Sequence, residues 1–197
     1  MNYPTSYTST VSVPLPDDDA IRSVVGDTYD PGTALNVIKM FAGTGDLYPA
    51  LIGMVNAIFG TKDIDAKHRE MIILRAAKVL DTPYEWQANT TLAGNAGLSD
   101  ADISAAASDG SVTGIDHEYV LICRATDELS QAHTLTDETL TALLDTFGVA
   151  TTRRYVAMIA WFNLLSRFLN GCRVPLETTD KIGTGTSPLD SSRGLAA

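Results

Sequence analysis

Cysteine is scarce. Cys123 and Cys172 are the only two in 197 residues, and they stand far apart in no metal or redox spacing. A disulfide framework and a Cys-x-x-Cys thiol centre are thereby excluded, and two free thiols in a reducing compartment are expected. Positive charge is short as well. Lys and Arg number 14 against 24 Asp and Glu, for a net charge of −10 and a pI near 4.5. Such a surface repels nucleic acid and anionic membrane, so neither is an expected partner. No apolar run reaches the roughly 20 residues of a membrane span. The most apolar stretch, residues 155–169, is broken by Asn163, Ser166 and Arg167. The opening MNYPTSYTSTVSVPLPDDD has neither a basic region nor an apolar run, so a secretory signal is not expected and the expected location is the cytoplasm. A glycine-rich phosphate loop, a zinc spacing and a Gly-x-Ser-x-Gly elbow are all missing, and no metal or cofactor is expected.

Strand alternation is also missing; helical signals fill the chain instead. With 45% hydrophobic residues, the composition is that of one globular domain. Residues 1–16, rich in Thr, Ser and Pro, read as an extended arm. Asp17, Asp18 and Asp19 then cap a short helix to about residue 25. Asp30-Pro31 opens a helix over TALNVIKMFA, stopped by Gly43. Asp46 opens a third, ended by Gly60. Ser99 and Asp102 form a capping box for a short helix. Asp116 starts another, to about residue 132. Thr136 starts one more, with Gly148 beyond its end, and a last helix spans residues 150–170. Residues 178–197, rich in Thr, Gly and Ser, read as a mobile tail. The expectation is an all-α domain of about eight helices over residues 17–177.

The informative stretch is DAKHREMIILRAAKVLDTPYEWQANTTLAGNAGLS, residues 65–99. It reads as two helices joined at Asp81-Thr82-Pro83. The first, residues 66–80, is apolar over most of its circumference and leaves a narrow polar strip of Lys67, Arg75 and Lys78. Glu70 does not lie on that strip. At 100° per residue it falls between Ile73, Leu74 and Ala77, and Arg69 also points into the apolar arc. In the second helix, residues 84–96, Glu85, Asn89, Leu92 and Ala96 share one face. Two carboxylates and an amide are therefore aimed at apolar surroundings on neighbouring helices. A buried charge is costly unless paired or protonated, which makes Glu70 and Glu85 candidates for acid–base work. The bland alternative for Glu70 is an ion pair with Arg69, Arg124 or Arg154. For Glu85 it is a favourable N-terminal acid. Asn89 can hydrogen-bond an oxyanion or orient Glu85, but it cannot exchange a proton near neutral pH. Arg69 can bind a carboxylate or neutralise Glu70. Tyr84 and Trp86 suit packing or a substrate platform. His68, His117 and His133 form no helical pair and read as surface histidines.

The same stretch resembles the carboxymuconolactone decarboxylase and alkylhydroperoxidase-D-like family. The resemblance is carried by Arg69-Glu70 before an apolar helix, by Tyr84-Glu85-Trp86, and by Gly97-Leu98-Ser99. It continues in WFNLLSRFLNGCRVPLE and covers most of residues 46–177. The family's usual histidine is Asn89 here. The two cysteines of the peroxidase branch are replaced by Thr82 and Glu85, so thiol peroxidase chemistry is not expected. The resemblance implies an alkylhydroperoxidase-D-like helical fold, a pocket near subunit contacts and a homo-oligomer, trimeric or hexameric. It also implies a catalytic role for Glu85, Glu70 and Asn89, with Arg69, Tyr84 and Trp86 about the substrate.

Three functions fit. The first is a cofactor-independent lyase that removes carbon dioxide from a small carboxylated lactone or ring acid. The second is an isomerase or hydratase of a small cyclic metabolite. The third is a binding or scaffold oligomer. The third predicts a filled pocket with both glutamates in salt bridges. The enzyme readings predict an open cavity with at least one carboxyl free of a cation.

Overall fold

A computed structural model describes residues 11–190, and among these every regular element is helical. The order is α1 (Asp18–Val25), α2 (Asn36–Ala42), a 3-10 turn (Gly45–Leu47), α3 (Tyr48–Gly60), α4 (Ala66–Val79), α5 (Pro83–Ala96), α6 (Asp100–Ala106), α7 (His117–Gln131) and α8 (Asp137–Cys172). The caps expected from sequence set several boundaries. The Asp65 carboxylate accepts from the Lys67 and His68 amides and starts α4. Ser99 and Asp102 form the full capping box of α6, and Gly97 ends α5 in the left-handed conformation, φ 93°. Among the described residues, no helix is long and apolar enough to cross a membrane.

Helix α4 is the centre. α5, α6, α7 and α8 pack around it, and Met71, Ile72, Ile73, Leu74, Ala76 and Ala77 are wholly buried. The polar strip expected on α4 does not face water throughout. Arg75 is buried, and all five of its N–H groups donate: to both Asp127 carboxylate oxygens and to the carbonyls of Ala106, Ser108 and Gly110. One guanidinium thereby fixes the loop after α6 to α7, and its charge is paired as burial requires.

Two boundaries differ from expectation. α2 begins at Asn36, not three residues earlier, because the Asp30 carboxylate accepts from the Gly32 amide and the Thr33 hydroxyl and holds a turn there. The helices expected on either side of Gly148 are two arms of α8, meeting at Gly148 with φ 73° and ψ 170°. The Thr152 hydroxyl donates to the Leu143 carbonyl across this break, at 3.0 Å.

The chain ends also differ from expectation. Of the expected N-terminal arm, residues 1–10 lie outside the described residues. Residues 11–16 run extended along the end of α8, where the Val13 amide donates to the Cys172 carbonyl and Arg173 donates to the Val11 carbonyl. Of the expected mobile tail, residues 191–197 lie outside the described residues, but residues 178–190 are packed. Ile182 and Leu189 are buried, Asn95 donates to the carbonyls of Gly183 and Gly185, and Lys181 donates to the Ala34 carbonyl. Few apolar residues are needed to hold a segment whose carbonyls are captured by side chains of the body.

Candidate functional site

The spacing on α4 and α5 puts Glu70 and Glu85 in one buried region, and each is almost completely shielded from solvent, at 0% and 2% exposure. Glu70 accepts from Arg69 Nε at 2.9 Å, and its second oxygen, Oε2, is buried without a hydrogen-bond partner. Burial raises the Glu70 carboxyl from 4.5 to about 7, against the pull of Arg69. Of the three arginines considered for it, Arg69 is the partner; Arg124 pairs with Glu138 and Arg154 with Asp63.

Among the described residues, Glu85 has no cationic partner. Its one side-chain partner is the Ser166 hydroxyl, which donates to Oε2 at 2.9 Å from the second arm of α8. Burial raises the Glu85 carboxyl to about 8; Ser166 draws it down and the nearby Glu70 pushes it up. At neutral pH this carboxyl holds its proton.

Glu85 stands on the wall of a cavity of about 40 Å³ between α2, α3, α5 and the second arm of α8. At ~30 Å³ of liquid per water, that is room for about one water. The wall is apolar except for Tyr84, Glu85 and Asn89. Asn89 lies one turn beyond Glu85 and donates one amide hydrogen to the Glu85 backbone carbonyl, at 2.8 Å. Among the described residues, its carbonyl oxygen and second N–H have no hydrogen-bond partner.

The remaining expected residues fall into different places. The Tyr84 ring lines the cavity, but its hydroxyl is committed: it donates to Glu177 Oε1 at 2.5 Å and accepts from the Val37 amide at 3.0 Å. Tyr84 thus fastens α5 to the start of α2 and to the segment after α8. Arg69 does not line the cavity. Its guanidinium lies 4.4 Å from the ring centroid of Phe59, a wall residue, and donates to Glu70 and, at 3.4 Å, to the Thr186 carbonyl. Trp86 is buried away from the cavity.

Sequence reasoning missed Trp161, Phe59, Pro188 and Ser166. The first three line the cavity. Ser166 carries a signal: it sits on the buried stripe of Tyr155, Ile159, Phe162 and Leu169, at helical spacing. His68 also departs from expectation. It is half-buried, with Nδ1 2.6 Å from the Tyr155 hydroxyl and Nε2 3.2 Å from Glu118, inside a ring of Tyr119, Phe147 and Tyr155. Its charged form is disfavoured by burial. His117 and His133 are exposed.

Both cysteines are free, and burial pushes the Cys123 thiol up to about 12, far from a reactive thiolate. Among the described residues, no group of three or more His, Cys, Asp or Glu is placed to hold a metal.

Comparison with known proteins finds no match among curated proteins or solved structures. A family model does match, over residues 45–121. That span includes Arg69, Glu70, Tyr84, Glu85, Trp86 and Asn89, and leaves out Ser166, Trp161 and the segment that carries Pro188. The matching model is that of the carboxymuconolactone decarboxylase family, and the all-helical fold is consistent with it.

Proposed function

We propose that the protein is a cofactor-independent acid–base enzyme in which the Glu85 carboxyl delivers a proton to a small ring compound. The observation that carries this reading is a buried carboxyl with no cationic partner on the wall of an apolar cavity. A scaffold that kept the fold without the chemistry needs neither the cavity nor the unpaired acid. Burial holds the proton at neutral pH, where an ordinary glutamate has lost it, and a donor titrating near the working pH is the efficient one.

The family suggests loss of carbon dioxide from a small carboxylated lactone or ring acid. Departure of carbon dioxide leaves an enolate-like charge. In this reading the second N–H of Asn89 stabilises it, and Glu85 protonates the carbon. Glu70, held by Arg69, sets the electrostatic background of Glu85. A second reading, isomerisation or hydration of a small cyclic molecule, uses the same proton donor. It is favoured by a wall without Lys, Arg or His, which offers a carboxylate no counter-charge. A homo-oligomer, trimeric or hexameric, and a cytoplasmic location accompany both readings as proposals.

The test is carbon dioxide release and ultraviolet change on a panel of carboxylated lactones and β-keto acids, with wild type beside Glu85→Gln. Release that falls at least tenfold in the variant, a barrier change of about 1.4 kcal/mol, is expected. Turnover of an identified substrate that is untouched by Glu85→Gln removes Glu85 from the reaction.

A further inference from the structure

We propose that residues 183–190 are a lid over Glu85, hinged at Gly183 and Gly185 and latched by Asn95 and Arg69, which lifts to admit the substrate. This rests on the reading of Glu85 as a proton donor to a small ring and supplies the entry that reading needs.

The need comes from size. The cavity of about 40 Å³ holds about one water, whereas a cavity that takes a ring the size of benzene is about 150 Å³. A ring therefore reaches Glu85 only if part of the wall moves. Among the described residues that line the cavity, Leu35 caps α2, Pro188 belongs to the segment after α8, and the rest lie on α2, α3, α5 and α8. Helix faces packed into one core move at high cost. The segment that carries Pro188 is the part of the wall outside that framework.

Its hydrogen bonds divide it into an anchor, a hinge and a moving piece. Residues 177–182 are the anchor. Gln87 exchanges two hydrogen bonds with the Glu177 backbone, at 2.9 and 3.0 Å, and Lys181 pairs with Glu177 and donates to the Ala34 carbonyl. The hinge follows. Gly183 has φ 55°, a left-handed conformation, and a β-carbon at Gly185 would come within 3.0 Å of the Ile182 carbonyl oxygen. Glycine is the residue that turns most freely there. Residues 186–190 hold together as one piece. The Asp190 carboxylate accepts from the Thr186 and Ser187 amides, at 2.7 and 3.0 Å, and the Asp190 amide donates back to the Ser187 carbonyl.

The latches are side chains of the body that hold lid carbonyls. Asn95, exposed near the end of α5, donates to the Gly183 and Gly185 carbonyls at 2.9 and 2.7 Å. Arg69 donates to the Thr186 carbonyl at 3.4 Å, a long bond. Water competes readily for an exposed amide, so the Asn95 latch exchanges at small net cost. Buried Leu189 packs against the core and draws the lid back.

Acrylamide quenching of tryptophan fluorescence tests this. The full chain has two tryptophans; Trp161 lines the cavity with Pro188, and Trp86 is buried away from it. Asn95→Ala removes the main latch. In a Trp86→Phe background it is expected to raise the quenching constant of Trp161 about threefold or more. In a Trp161→Phe background the constant of Trp86 should stay unchanged. Either background suffices beside the two-tryptophan chain, because the difference gives the other residue, and melting curves show which variants fold. An unchanged Trp161 constant in folded Asn95→Ala overturns the lid. So does an equal rise at Trp86, which marks a loosening of the whole fold. Quenching is read without turnover. A shielded Trp161 therefore removes the lid and leaves the Glu85 reaction, while turnover untouched by Glu85→Gln removes that reaction and leaves the lid.

Discussion

Glutamine at position 85 should make the protein more stable above neutral pH, by an amount that the burial of Glu85 sets. The carboxyl titrates at about 8 in the folded chain against 4.5 when unfolded. The folded state therefore holds a proton that the unfolded state releases, and stability falls as the pH rises from about 4.5 to about 8. At pH 7 the unfolded carboxyl is ionised by about 300 to one while the folded one is mostly protonated, which costs about 3 kcal/mol relative to acid conditions. Above pH 8 the cost reaches about 5 kcal/mol. Glutamine keeps the shape and an acceptor oxygen for Ser166 but does not ionise. The stability difference between variant and wild type should thus be small at pH 4 and grow to about 3 kcal/mol at pH 7, or about 10 °C in Tm for a chain of this size. Urea melts of both proteins at pH 4 to 8 measure it, and the subtraction removes groups common to both. Among these is His68, whose depressed titration acts in the opposite direction, stability rising with pH. Parallel stability curves would show that Glu85 ionises normally and would refute both the burial argument and the proton donor built on it.

Other perturbations test other parts of the fold. Arg75→Met should destabilise by about 3 kcal/mol or more, because it leaves Asp127 and three carbonyls without their donor; a chemical-denaturation difference under 1 kcal/mol would refute the role given to Arg75. Ser166→Ala should move the Glu85 titration further upward, since the hydroxyl favours the ionised form, while Ser166→Thr should restore it; carboxyl-carbon NMR reads the shift directly. Gly148→Ala places a β-carbon at φ 73° and ψ 170°, a backbone region essentially confined to glycine, and should cost about 2 kcal/mol by backbone strain alone, since no atom crowds that position; thermal melts check it.

How much of this was legible in the sequence depends on distance along the chain. Caps are local, so Asp65, Ser99 with Asp102, and Gly97 mark their helix ends in sequence and in structure alike. The burial of Glu70 and Glu85 was legible from helical angle, because α4 and α5 present few polar residues to the same face. Other features were hidden because their partners come from far away. Arg75 reads as part of a solvated strip until Asp127, 52 residues on, closes over it. Ser166 reads as an interruption of an apolar helix until Glu85, 81 residues earlier, gives it a partner. His68 is enclosed by aromatic rings from α7 and α8 that no spacing on α4 reveals. Residues 178–190 look too polar to pack, because composition counts side chains while this segment is held largely by its carbonyls.

That last segment also ties shape to protonation. Pro188 forms part of the cavity wall, and the Thr186 carbonyl two residues before it rests on Arg69, the group that neutralises Glu70. If residues 183–190 lift, water reaches Glu85 and the desolvation that keeps it neutral is relieved. Ionisation and opening then favour one another by thermodynamic reciprocity: alkaline solution draws the segment away, and a lifted segment releases the proton.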